Sequence, residues 1–108
     1  MDELTDLMLF RIAQESTHNA VKHGQPRRIE IRLAIEREEI CLRVRDNGRG
    51  FNPGSSTASG MGLNIMKHRA GSIGGRLEIS SQTGAGTEVI CIAPLHVPPN
   101  ATGSANPA

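Results

Sequence analysis

The sequence has no Trp, no Tyr and only two Phe among its 108 residues. That does not fit modules that read nucleic acids by stacking bases on aromatic rings. Nor does one sign of charge dominate: 12 Lys and Arg stand against 11 Asp and Glu, a formal net charge of +1. A near-neutral chain carries no electrostatic footprint for DNA, RNA or an anionic membrane. No apolar run approaches the length of a membrane span, and no basic-then-apolar leader opens the chain. We therefore expect no nucleic-acid partner and no membrane contact by this domain. Cysteine is scarce too. Cys41 and Cys91 are too few for a disulfide scaffold and lack zinc-ligand spacing. Reduced thiols and a cytoplasmic setting are expected. The length supports one core, not two.

Residues 3–23 read as a helix uninterrupted by Pro or Gly, with Asp2 or Thr5–Asp6 as the cap and Gly24 followed by Pro26 as the stop. Helical spacing places Leu9, Phe10, Ala13, Thr17, Ala20 and Val21 on a core face. Glu15, Asn19, Lys22 and His23 fall on the opposite side. Leu4, Leu7, Met8 and Ile12 lie off that core face, so the first half of the helix is apolar nearly all round and calls for a further neighbour.

Residues 27–36 alternate strictly: Ile29, Ile31, Leu33 and Ile35 face one way, Arg28, Glu30, Arg32 and Glu36 the other. This predicts a half-buried strand, and residues 39–45 repeat the pattern. The two runs suggest an antiparallel hairpin around Arg37–Glu39, with turn residues too poor to name its type. A Gly-, Ser- and Asn-rich stretch covers 46–60. A second helix follows, with Leu63, Met66, Ala70 and Ile73 at helical spacing and Gly74–Gly75 as its end. Two more strands are predicted near 76–81 and 87–94. The order of elements predicts an α/β (α+β) sandwich with a mixed, largely antiparallel sheet and helices on one face. Residues 1–95 form the domain; 96–108, with three Pro and little to bury, read as a disordered tail.

Four features bear chemistry. Asp46-Asn47-Gly48-Arg49-Gly50-Phe51 follows a strand directly. An ionised carboxylate at a strand end only accepts hydrogen bonds, which suits the exocyclic amine of adenine and opposes the carbonyl of guanine. Gly48 and Gly50 allow backbone to approach a flat ring. The competing reading is a plain Asp-Asn-Gly turn. Gly60-Met61-Gly62-Leu63 opens the second helix, where backbone N–H groups favour phosphate; a flexible loop is the alternative. Glu15 and Asn19, four apart, stack on one helix face. A carboxylate and an amide oxygen suit a hard cation such as Mg²⁺, with Lys22 and His23 extending the polar face; a solvated face is the plainer reading. Thr87, after Gly84-Ala85-Gly86, matters only if its hydroxyl reaches a ligand near Asp46. One nucleotide with Mg²⁺ explains all four features together.

In this order and spacing the motifs resemble the ATP-binding catalytic domain of two-component sensor histidine kinases, within the Bergerat ATPase superfamily. Residues 10–15 through 19–23 resemble the family's N box, 46–51 its G1 box and 60–63 its G2 box. The run on to Met66, Arg69 and Ala70 is similar to a subclass often paired with helix-turn-helix response regulators. The resemblance implies that Asn19 holds Mg²⁺ and that Glu15 orients a metal-bound water or assists the phosphoacceptor. It places Lys22 and His23 near the phosphates, Asp46 on the adenine amine and Thr87 on adenine through water. Gly48, Gly50, Gly60 and Gly62 shape the pocket, with Phe51, Met61 and Leu63 beside them, and 52–59 form a short ATP lid.

The resemblance also implies a phosphoacceptor histidine on a separate dimerising domain. None of His18, His23, His68 or His96 stands in such a context, so the chain alone is expected not to autophosphorylate. The family fold usually begins with a strand before the first helix, and none precedes it here; a fragment of a larger kinase is expected. Two alternatives remain: a serine kinase of the anti-sigma-factor type or another ATPase of the superfamily, and an inactive docking module.

Overall fold

The structure, a computed structural model, describes residues 2–50 and 61–95. Phe51, Gly60, the lid expected over 52–59 and the tail over 96–108 lie outside the described residues. The elements are α1 (Glu3–Asn19), a π-helical turn (Ala20–Gly24), β1 (Ile29–Glu36), β2 (Glu39–Asp46), α2 (Met61–Ser72), β3 (Arg76–Gln82) and β4 (Gly86–Pro94). The strands form one sheet in the order β1-β2-β4-β3. All three pairings among the described residues are antiparallel, so no parallel pair makes this sheet mixed. α1 packs on β2 and α2 on β3 and β4.

Asp2 caps α1: its carboxylate accepts a 2.7 Å hydrogen bond from the Thr5 backbone N–H. That bond holds the Asp2 carboxyl below its ordinary range. The α geometry stops at Asn19, short of the uniform helix expected to residue 23. After the π turn the left-handed residue is Gln25 (φ 47°), not Gly24. The Gly24 carbonyl instead accepts a 2.8 Å bond from the Arg49 backbone N–H.

The buried face of α1 is Thr5, Leu9, Ile12 and Ser16, continued by Ala20 in the π turn. This corrects the expected face: Phe10 and Val21 are each 61% exposed, and Ile12 is fully buried. Hydropathy misphased the helix because two of its inward positions are hydroxyl residues. Ser16 suits the interior because its hydroxyl donates to the Ile12 carbonyl at 2.7 Å and lies 3.3 Å from the Met66 sulfur on α2.

β1 departs from expectation as well. Its apolar residues share a face with Ile40, Leu42 and Val44 of β2. Yet Ile31, Leu33 and Ile35 are 53–58% exposed. Alternation specifies the side of a strand, not whether a helix lies over it. The hairpin turn holds Arg37 and Glu38 at φ 53° and 64°, the pattern of a type I′ turn. α2 ends in paired bonds from Gly75 N–H to the Ala70 carbonyl and from Gly74 N–H to the Gly71 carbonyl, a Schellman arrangement. The core gathers Leu9 and Ile12 of α1, Met66 and Ala70 of α2, Ile73 beyond it, and the inward residues of β2 and β4.

Candidate nucleotide site

The polar side chains converge on one cleft of about 490 Å³, bounded by α1, the π turn, the start of α2 and the end of the sheet. That volume suits a small-molecule ligand. Glu15, Asn19, Lys22, His23, Asp46, Gly50, Gly62, Leu63 and Thr87 all line it. Glu15 and Asn19 flank the buried face of α1, half-buried, rather than standing opposite to it as expected.

Gly62 shows how tightly α2 approaches α1 here. A Cβ on Gly62 would stand 2.7 Å from a Glu15 carboxylate oxygen and 3.4 Å from the Asn19 side-chain nitrogen. Only glycine fits without moving Glu15. The first turn of α2, with its unspent backbone N–H groups, is thereby held beside a carboxylate and an amide.

Asp46 ends β2. Its Oδ1 accepts a 2.8 Å bond from the Gly48 backbone N–H. Its Oδ2 has no hydrogen-bond partner among the described residues. One oxygen is spent on the loop, and Asp46 lines the cleft. Gly48 does not itself line the cleft. It is wedged against the π turn, where a Cβ would stand 2.5 Å from the Gly24 carbonyl oxygen.

Asn47 secures the loop from the other side. Its Oδ1 accepts from the backbone N–H groups of both Arg27 and Arg28, each at 2.9 Å. The Arg49 guanidinium donates to the Gln25 side-chain oxygen at 2.8 Å, and the Arg49 carbonyl accepts from the Gly84 N–H. Thus 46–49 are tied to 24–28 and to the β3–β4 turn. Sequence reasoning treated Asn47 as a turn residue; nothing in local spacing reveals partners twenty positions away. It also missed the apolar floor of Val44, Ile79 and Val89, although their inward position follows from strand alternation.

Across the end of the sheet, Asp46 pairs with Thr87 and Thr87 with Ser81. The Ser81 and Thr87 hydroxyls are 2.7 Å apart. Of the remaining predicted site residues, Phe51 and Gly60 lie outside the described residues. Met61 begins α2.

A cleft of this build, at the sheet end between two helices, belongs to a recognised class. A model of the histidine kinase-, DNA gyrase B- and HSP90-like ATPase family matches residues 5–97. The chain belongs to that family, and membership implies ATP binding. The chain is 40% identical over 87 residues to the sensor histidine kinase LiaS of Bacillus subtilis, covering 81% of this chain and 24% of LiaS. It is 39% identical over 88 residues to the sensor protein VraS of Staphylococcus saprophyticus, covering 82% and 25%. The chain thus spans about a quarter of these curated relatives. The histidine kinase domain of a blue-light activated histidine kinase from Erythrobacter litoralis superposes with a TM-score of 0.70 at 22% identity, over 82% of this chain and 43% of that one. That likeness shows the fold. No helix among the described residues is long and apolar enough to cross a membrane.

Proposed function

We propose that this domain binds ATP with Mg²⁺ and, within a longer sensor kinase, presents the γ-phosphoryl group to a histidine on a separate dimerisation domain. An aspartate of a response regulator then receives the phosphoryl group, and the domain works in the cytoplasm. One observation carries the reading: a single cleft brings the unspent Asp46 Oδ2 together with the Glu15–Asn19 pair at the N-terminus of α2.

Mg²⁺, when bound, neutralises phosphate charge. The donor set fits it. Mg²⁺ takes one or two protein oxygens and completes its shell with phosphates and water, and Asn19 and Glu15 are hard oxygen donors on one face. Asn19 is the metal ligand in this reading. Glu15 is the catalytic residue, hydrogen-bonding the incoming histidine. Lys22 and His23 hold the phosphates. Asp46 Oδ2 accepts from the adenine amine, Thr87 supports the ring, and Val44, Ile79 and Val89 supply an apolar floor. The backbone N–H groups from Gly60 through Leu63, where α2 begins, take the phosphate chain. The chain's contribution is positioning and charge neutralisation.

The test is to mix this chain with γ-labelled ATP, Mg²⁺ and a purified dimerisation domain of LiaS, using the ATP-binding domain of LiaS as the positive control. Acid-labile label on the histidine domain, dependent on this chain, is expected. Acid-stable label on serine favours the anti-sigma-type kinase. No label where the control succeeds contradicts kinase activity and favours a docking module.

A further inference from the structure

The two edges of the sheet are finished differently. At the β3 edge, Leu77 and Ile79 pack against the core beside α2. At the β1 edge, Ile31, Leu33 and Ile35 lie more than half exposed on the same side of the sheet. Edges of soluble sheets are usually blunted by a proline, a bulge or an inward charge. β1 pairs with β2 unbroken over eight residues, contains no proline and carries no charge on that side.

Its main chain is open too. The two-residue turn makes Glu36 and Glu39 a hydrogen-bonded pair. At the other end the Asn47 N–H donates to the Arg28 carbonyl at 3.2 Å. Such pairs alternate along an antiparallel ladder. The even-numbered residues of β1 therefore bond to β2, while Ile29, Ile31, Leu33 and Ile35 turn their N–H and carbonyl groups outward.

The charges on the opposite side of β1 select a partner. Arg32 stands across from Arg43 of β2, a destabilising like-charge pair. Arg43 is held by Glu88 at 3.4 Å, whereas Arg32 comes no nearer than 4.0 Å to Glu30 of its own strand. A second copy of β1, laid antiparallel about a two-fold axis through Ile31, supplies what is lacking. Glu30 then faces Arg32 of the second copy, and Arg32 faces its Glu30. Ile29 meets Leu33 in the same reciprocal way, and Ile31 meets itself. The outward groups of Ile29, Ile31 and Leu33 close the new ladder. Neighbouring registers are poorer. An axis through Glu30 or Arg32 sets that charge against itself, and one through Leu33 sets Glu30 against Glu36. An axis through Ala34 leaves only Leu33 and Ile35 in main-chain register.

We infer that this chain forms a two-fold dimer by antiparallel pairing of β1 with β1 of a second copy, with Ile31 on the axis. The pairing joins two four-stranded sheets into one continuous sheet. It makes the exposed apolar residues of the two copies neighbours. No residue of β1 lines the cleft, so the dimer does not depend on what the cleft binds.

The experiment is sedimentation of the chain from about 1 μM to about 1 mM. The mass is expected to rise with concentration from 11.6 kDa to twice that value and no further. Glu30→Arg and Arg32→Glu change side chains that are 38% and 71% exposed, and circular dichroism establishes their folding. Each alone sets like charges together and is expected to weaken the dimer at least about tenfold. An equimolar mixture of the two variants restores both opposite-charge pairs and returns dimerisation to within about threefold of the parent. Hydrogen exchange on the parent needs no variant. The amides of Ile29, Ile31 and Leu33 are expected to slow as concentration rises, and that of Ile35 to stay fast. A chain that remains monomeric throughout overturns the inference and leaves this edge to a strand of another protein. Open-ended assemblies overturn it as well, because the pairing consumes the β1 edge of both copies. So does a dimer that folded Glu30→Arg and Arg32→Glu leave intact, or one that their mixture does not restore.

Discussion

Two cross-strand rows lie four residues apart on the helix-covered face of the sheet. The inner row runs Leu33, Leu42, Cys91, Leu77; the outer row runs Ile29, Asp46, Thr87, Ser81. Leu42 and Cys91 are buried under α1 and α2 and form part of the core. Asp46 and Thr87 face the cleft. The inner row contributes transfer free energy, which scales with apolar area removed from water. The outer row contributes polar side chains at the cleft, which add little to stability. The inner row also differs along its own length: Leu42 is 4% exposed and its neighbour Leu33 is 54% exposed. Residue type and side of the sheet are the same there; only the helix cover changes.

The largest effect on stability belongs to the inner row. Leu42→Ala is expected to cost about 3 kcal/mol in denaturant unfolding, with nucleotide affinity of the folded fraction unchanged. Leu33→Ala should stay within about 1 kcal/mol. Equal costs for the two would break the distinction between covered and uncovered ends.

The support of the outer row is tested at Asn47. Removing its side chain in Asn47→Ala leaves two backbone N–H groups without their acceptor and loosens the loop behind Asp46. Nucleotide affinity is expected to fall about tenfold, and Asn47→Asp, which keeps an acceptor oxygen, should retain most of it. Equal affinities in all three forms would show that the clamp does not position Asp46.

Smaller effects lie away from both rows. Asp2→Ala should destabilise α1 by about 1 kcal/mol at neutral pH. The folded carboxyl sits below the ordinary value of 3.8. Its stabilisation is therefore present above that value and lost as pH falls through the folded one, and the parent and variant melting curves converge in acid. A difference that persists there would contradict the cap.

The smallest signature is chemical. Burial pushes the Cys91 thiol up to about 11, whereas Cys41 is half-buried on the opposite face. At pH 8 a thiol reagent should modify Cys41 in the folded chain and Cys91 only on unfolding. Equal modification rates would place Cys91 outside the core.

Much of this was legible in the sequence because its signals are local. Alternation marked β1 and β2, Gly74–Gly75 marked the end of α2, and Asp46 and Thr87 stood out beside glycines. What escaped depends on distant chain. The inward hydroxyls of Thr5 and Ser16 disguised the phase of α1, since the side-chain bond of Ser16 to the Ile12 carbonyl is invisible to hydropathy. The exposure of Ile31, Leu33 and Ile35 reflects where α1 stops covering the sheet. Asn47 is tied to the cleft only through contact with the backbone of Arg27 and Arg28.

The most direct test is calorimetric titration of ATP with Mg²⁺ against the parent chain and Asp46→Asn. The variant keeps an oxygen for the Gly48 N–H but turns the ligand-facing position from acceptor to donor. The expected result is saturable binding by the parent and a loss of at least about 100-fold in the variant, with matching melting temperatures. Equal affinity in two folded proteins would contradict a cleft in which Asp46 reads the base.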